Sequence, residues 1–191
     1  MLYLTVGTDN IKKELFVPVS DRETGFYKPS GGVWFTKNDP KYNNYNVWVD
    51  YLMDNPHVFF HKNKSNNIWV QPCSVVELKD DTNIFNLNNE DEYNYLLDKF
   101  PMNNKCFSYE LMSHSYDGIY VDIMSLIHNK NDDLVNLIRQ YCVSTLLLFN
   151  IECIDYYYSG KVDIVPFDLD FNVYECINYN ITYDKIKKRV K

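Results

Sequence analysis

Alanine is absent from the 191 residues, arginine occurs only as Arg22, Arg139 and Arg189, and glycine only six times. Asn, Lys, Ile and Tyr, whose codons are A/T-rich, are abundant instead. The bias points to an AT-rich genome, such as that of a large DNA virus, a phage or an AT-rich microbe. No run approaches the roughly 18–20 apolar residues that a membrane-crossing helix needs. The start, MLYLTVGTDNIKK, lacks a basic segment followed by an apolar one. A soluble, intracellular protein is expected, cytoplasmic or, for a viral chain, in the host cytoplasm. No C-x-x-C pair occurs, and the five cysteines (Cys73, Cys106, Cys142, Cys153, Cys176) are odd in number and widely spaced. They read as reduced small hydrophobes, and no metal is expected. Walker A, G-x-G-x-x-G, G-x-S-x-G and H-E-x-x-H motifs are all missing, which removes the commonest phosphate, dinucleotide, acyl-transfer and zinc signatures.

What remains is acidic and aromatic. A net charge of -7 argues against a surface built to neutralise phosphates, and 16% aromatic residues exclude global disorder. The length fits one α+β domain over 1–183, followed by a basic tail, 184–191, read as a solvated or frayed end. LYLTV suits a strand, and Thr8 or Asp9 suits the cap of a short helix carrying Ile11 and Leu15. Val33 to Thr36 reads as a strand. Tyr45, Trp48, Val49 and Leu52 form a helical stripe that ends near Met53. Short strand-like runs follow at 57–60, 68–71 and 73–78. Helices are expected over Asn88–Phe100, stopped by Pro101, and over Asn131–Cys142, with Leu134, Leu137, Ile138 and Tyr141 buried. Val143–Phe149 reads as a central strand and Lys161–Phe167 as an edge strand.

One segment invites a chemical reading. In KPSGGVWFT (Lys28 to Thr36) two glycines precede an aromatic strand, so the backbone can approach a ligand closely. Lys28, Ser30, Trp34 and Thr36 would suit a planar ring with a phosphate or carboxamide. The alternative is a plain turn into a core strand.

The order LYLTVGT (2–8), KPSGGVWFT (28–36), a helix with Tyr45 and Trp48, SYDGIYV (115–121) and STLLLFNIECI (144–154) resembles the ADP-ribosyltransferase superfamily, with its poly(ADP-ribose) polymerase-like and toxin-like branches. That resemblance implies a split mixed β-sheet flanked by helices, with NAD as substrate. Gly7, Thr8, Lys28, Gly31, Gly32, Trp34 and Thr36 would bind the cofactor, with Tyr42 or Tyr45 stacking on nicotinamide. Tyr45 and Thr145 occupy catalytic positions. Val6 stands where the polymerase-like branch has His, and Ser144 or Thr145 where the last strand should open with Glu. Asp122 and Glu110 are the nearer carboxylates, while Glu152 is too far along its strand. Three functions follow: ADP-ribose transfer to a protein or nucleic-acid target, nucleotide binding without turnover, and an interaction module whose acidic surface engages basic partners.

Overall fold

In a computed structural model the described residues are 1–22, 28–38, 46–53, 61–62, 69–103, 105–165 and 178–190. The chain forms two compact units. The first comprises Met1–Lys12, Lys37–Leu78 and Ile154–Lys191, and the second Lys13–Thr36 and Lys79–Cys153. Strands and helices are mixed in sequence, and the α+β class holds. No helix among the described residues is long and apolar enough to cross a membrane.

The first unit is built on antiparallel strands in the order β11 (Asn178–Tyr183), β10 (Ile154–Val165), β4 (Trp69–Leu78), β1 (Leu2–Val6), with the short β3 (His61–Lys62) also on β4. Register aligns Leu4 with Val75 and Val75 with Tyr158, while Val162 faces Ile181. These side chains form one buried row, covered by Val49 and Leu52 of helix α1 (Val47–Met53). Each such burial contributes about 1.5–3 kcal/mol. Asn46 starts the helix because its Oδ1 accepts from Trp48 N at 3.0 Å and Val49 N at 3.2 Å. Ladder pairing between β1 and β4 stops at a defined place. Gly7 N donates to Pro72 O at 2.8 Å, but Pro72 has no N–H to return, so the strand leaves there.

The second unit carries β2 (Val33–Asn38, through Thr36), β9 (Thr145–Leu148), β8 (Gly118–Val121) and β5 (Ile84–Leu87), in that order. The β2/β9 and β9/β8 pairs are antiparallel and β8/β5 is parallel, so this sheet is mixed. A small ribbon joins β6 (Pro101–Asn103) to β7 (Cys106–Phe107). Helix α2 (Glu90–Lys99) begins at Asn89, whose Oδ1 accepts from Glu92 N at 2.9 Å while Glu92 Oε2 accepts from Asn88 N at 2.6 Å. Helix α5 (Asp132–Tyr141) begins at Asn131, whose Oδ1 accepts from Asp133 N and Leu134 N. Its stripe of Leu134, Leu137, Ile138 and Tyr141 is buried, as the 3.6-residue period requires. The single-turn helices α3 (Tyr109–Met112) and α4 (Ile123–Leu126) complete the unit. Asp21 caps α3 from far away in sequence: its Oδ1 accepts from Tyr109 N at 2.8 Å, and its other oxygen from the Ser108 hydroxyl.

Four local expectations fail. The Lys161–Phe167 run is not at an edge over Lys161–Ile164, where β4 pairs with one side and β11 with the other. Residues 8–15 form no α-helix, only a 3₁₀ turn at Lys13–Leu15; Ile11 is buried and Leu15 is 70% exposed. Thr8 Oγ1 bonds the backbone of Asn10, which offers the chain a turn in place of a helical start. From Trp69 on, the 68–71 and 73–78 runs are one strand, while Ile68 and the 57–60 run lie outside the described residues. The tail is not frayed. Lys188 bridges Tyr157 through two 2.9 Å backbone bonds, and Lys187 pairs with Glu77 at 2.9 Å.

Candidate functional site

The residues grouped by the resemblance fall in both units. Gly7 and Thr8 belong to the first; Lys28, Gly31, Gly32, Trp34, Thr36 and Thr145 belong to the second. Tyr42 and Tyr45 lie outside the described residues. Gly7 has φ +108°, with open space where a side chain would stand. The carbonyl of Thr8 accepts from Ser74 Oγ at 2.9 Å. Beside this stretch the first unit holds a cleft of about 460 Å³ lined in part by Asp9, Pro72, Ser159, Gly160, Lys161 and Asp184.

The second unit shows why the Gly31-Gly32 pair is there. Both have positive φ, +74° and +67°. A Cβ on Gly31 would lie 2.2 Å from Pro18 O, and one on Gly32 would lie 2.4 Å from Leu147 Cδ1 and 2.9 Å from Leu148 O. The close approach is therefore to the protein's own backbone and to β9. Ser20 and Ser30 pair through two 3.0 Å backbone bonds that hold this turn. Gly118 in the Tyr-Asp-Gly turn has the same logic, since its Cβ would meet Leu147 O at 2.6 Å. Asp117 there accepts from Asn83 N at 3.0 Å and Asn150 Nδ2 at 3.1 Å, which ties the ends of β5 and β9 to that turn.

What the turn presents is an aromatic nest. The Lys28 ammonium lies 4.5 Å from the Trp34 ring centre and 5.8 Å from that of Tyr141, and the two rings sit 5.8 Å apart. Lys28 makes no hydrogen bond or ion pair to the described residues. Burial, first of all, pushes its pKa down; the nearby Cys142 sulfur acts in the opposite direction and Arg22 adds to the lowering. Cys142, at the end of α5, is exposed and has φ +60°. Thr36 is buried on the same strand as Trp34. Tyr141 was legible only as a core residue, since a helical stripe gives no sign that its last member also borders a lysine.

The opening of β9 is occupied by hydroxyls with partners. Thr145 Oγ1 donates to Val143 O at 2.6 Å, and Ser144 Oγ accepts from Ile123 N at 3.0 Å while donating to Asp122 Oδ1 at 3.3 Å. Asp122 also accepts from Ser125 Oγ at 3.0 Å. It follows β8, whose Val121 pairs with Thr145, so this carboxylate is the acidic group beside that strand end. Glu110 sits in α3. Glu152 lies in a 3₁₀ turn, where it pairs with Lys13 at 2.5 Å, and that ammonium lowers its pKa. No cluster of three His, Cys, Asp or Glu among the described residues can hold a metal.

No protein-family model, curated protein or solved structure gives a significant match to this chain.

Proposed function

We propose that the chain is a divergent ADP-ribosyltransferase-like protein that binds NAD or a related nucleotide in its second unit. Lys28 and Trp34 would face the ligand. The observation that carries this reading is the Lys28 ammonium, partly buried over two aromatic rings and without a hydrogen-bonding partner among the described residues. Such a cation keeps its donors for an anion, and a phosphate oxygen satisfies them with a charge-assisted bond. The adjacent rings suit a planar base or nicotinamide. Ordered placement of the motif segments on neighbouring strands β2, β9 and β8 supports the family resemblance.

Binding without turnover is the form of this function that the site favours. Glycosyl transfer from NAD passes through an oxocarbenium-like state that needs a fixed negative charge nearby. The Thr145 hydroxyl supplies none and is spent on Val143 O. A second reading, transfer itself, is favoured by Asp122, held by Ser144 and Ser125 at that strand end.

Calorimetry with NAD and with ADP-ribose tests the first reading. Binding that weakens at least about tenfold in Lys28→Met, with the unfolding midpoint unchanged, is expected. A wild-type protein that binds neither ligand refutes it. Incubation with labelled NAD and cell extract should give no nicotinamide release. Release that disappears in Asp122→Asn would establish the second reading instead.

A further inference from the structure

Strand β10 is paired on one side to β4 along nearly its whole length, but β11 covers its other side only from Gly160 to Val165. The remaining outer edge, Ile154–Ser159, exposes backbone donors and acceptors of the kind that recruit another strand. In this structure the chain's own tail takes that place. After β11, Asp184 N donates to Ser159 O at 2.8 Å, residues 185–187 leave the ladder, and Lys188 returns to exchange two 2.9 Å bonds with Tyr157.

The seat is specific for positive charge. Glu77 Oε2 accepts from Lys187 Nζ at 2.9 Å, while Glu77 Oε1 accepts from the Tyr158 hydroxyl at 2.8 Å. The Tyr156 ring lies 4.7 Å from Lys187 Nζ and 5.4 Å from the Arg189 guanidinium carbon, and Arg189 Nη2 donates to the Tyr156 hydroxyl at 3.3 Å. Lys188 Nζ donates to Ser159 Oγ at 2.6 Å. One carboxylate, two tyrosine hydroxyls, an aromatic face and a serine thus read three consecutive basic side chains. Among the described residues two backbone bonds fasten the tail beyond Asp184, and Lys187, the residue bonded to Glu77, remains 51% exposed.

We infer that the outer edge of β10 over Ile154–Ser159 is a docking site for an extended basic peptide strand of another protein, occupied in the free protein by residues 185–190 of its own tail. The partner adds a strand to the sheet, supplies main-chain bonds to Tyr157, and places one basic side chain on Glu77 and a second over Tyr156. The overall charge of -7 favours the approach of such a partner. Because the tail is covalently attached, it competes at an effective concentration on the order of millimolar, so a partner engages fully only when the tail is displaced.

A fluorescent peptide with the sequence of residues 183–190 (YDKIKKRV) is titrated against the full chain and followed by anisotropy. The double variant Lys187→Glu with Arg189→Glu loosens the tail and should bind the peptide at least about tenfold more tightly than wild type. Adding Glu77→Lys should abolish that binding, and 0.5 M salt should weaken it. An affinity unchanged by the double variant, or by Glu77→Lys, overturns the proposal. So does equal binding of a peptide in which Glu replaces Lys187, Lys188 and Arg189. Should the variants unfold, amide exchange on the wild type decides. The Tyr157 amide should exchange far faster than amides of β10 that face β11, and should slow on adding peptide; exchange of Tyr157 only by global unfolding refutes a displaceable tail.

Discussion

Alanine at Gly31 puts a Cβ 2.2 Å from Pro18 O and 2.9 Å from Val17 O, where no side-chain rotation can relieve the contact. Two costs add. An L-residue at φ +74° loses about 1–2 kcal/mol, and forcing atoms into a packed site costs about 1–3 kcal/mol more. Gly31→Ala should therefore destabilise by about 2–5 kcal/mol, a fall in Tm of about 4–20 °C for a chain of this size. Gly32→Ala meets a methyl at 2.4 Å and Leu148 O at 2.9 Å, and belongs in the same range because the leucine can yield only in part. Gly7→Ala is the control. Its φ of +108° lies further outside the left-handed well than +74°, but nothing lies within 4 Å of the added carbon, so only the backbone cost applies. Thermal melts and urea titrations of the three variants, with NAD titrations beside them, separate the causes. A Gly31→Ala loss no larger than the backbone cost of about 1–2 kcal/mol would refute the packing argument. A Gly32→Ala protein of normal stability that has lost nucleotide affinity would make the turn a ligand cradle instead.

Among the four described cysteines, iodoacetamide should label Cys142 first, because it is exposed, whereas burial pushes the Cys73 and Cys153 thiols up to about 12 and the Cys106 thiol up to about 11. Mass spectrometry of the native and the unfolded protein checks the order; early labelling of Cys73 would contradict it. The bonds from Lys187 and Tyr158 hold the Glu77 carboxyl below its usual pKa, so its contribution to holding the tail is present above the unfolded value and lost as pH falls through the folded one. Protection of the Tyr157 amide, taken relative to its intrinsic exchange rate at each pH, should thus fall only below about pH 4, and Glu77→Gln should remove that acid dependence. Asp21→Ala strips the cap from α3 and should cost about 1–2 kcal/mol, measured by urea denaturation; Asp21→Asn should recover part of it.

Elements written in local residues were legible. Asn131, the paired aspartates after it and the four apolar residues at helical spacing specify α5 without help from the rest of the chain. Elements whose causes lie elsewhere were not. Strand β10 begins at Ile154, yet IDYYYSG shows no alternation, because Tyr157 and Tyr158 are both buried, on opposite faces of the strand. A strand covered on two sides loses the period-2 signal. Pro72 divided one strand into two on paper. In the fold its missing N–H falls where β1 leaves at Gly7, so the proline ends a pairing and leaves the strand intact.

The same distinction governs the candidate site. Lys28, Trp34 and the glycine pair are consecutive enough to be read together, but the glycines proved to serve the approach of one backbone to another. What isolates the Lys28 ammonium is Tyr141, a helix residue whose stripe identified it as core. Its hydroxyl is also committed, lying 2.5 Å from that of Tyr109 with both rings buried, and burial raises the pKa of each. The ring is thereby held at its hydroxyl end while its face remains beside Lys28. Tyr141→Phe keeps the ring and removes this hydroxyl, so it should leave ligand affinity intact while leaving Tyr109 without its buried partner, at about 1–3 kcal/mol. Tyr141→Leu removes the ring itself and should weaken binding of NAD as Lys28→Met does. If Tyr141→Leu is as stable as Tyr141→Phe and binds as wild type does, Tyr141 is core alone, and the nest around Lys28 reduces to Trp34.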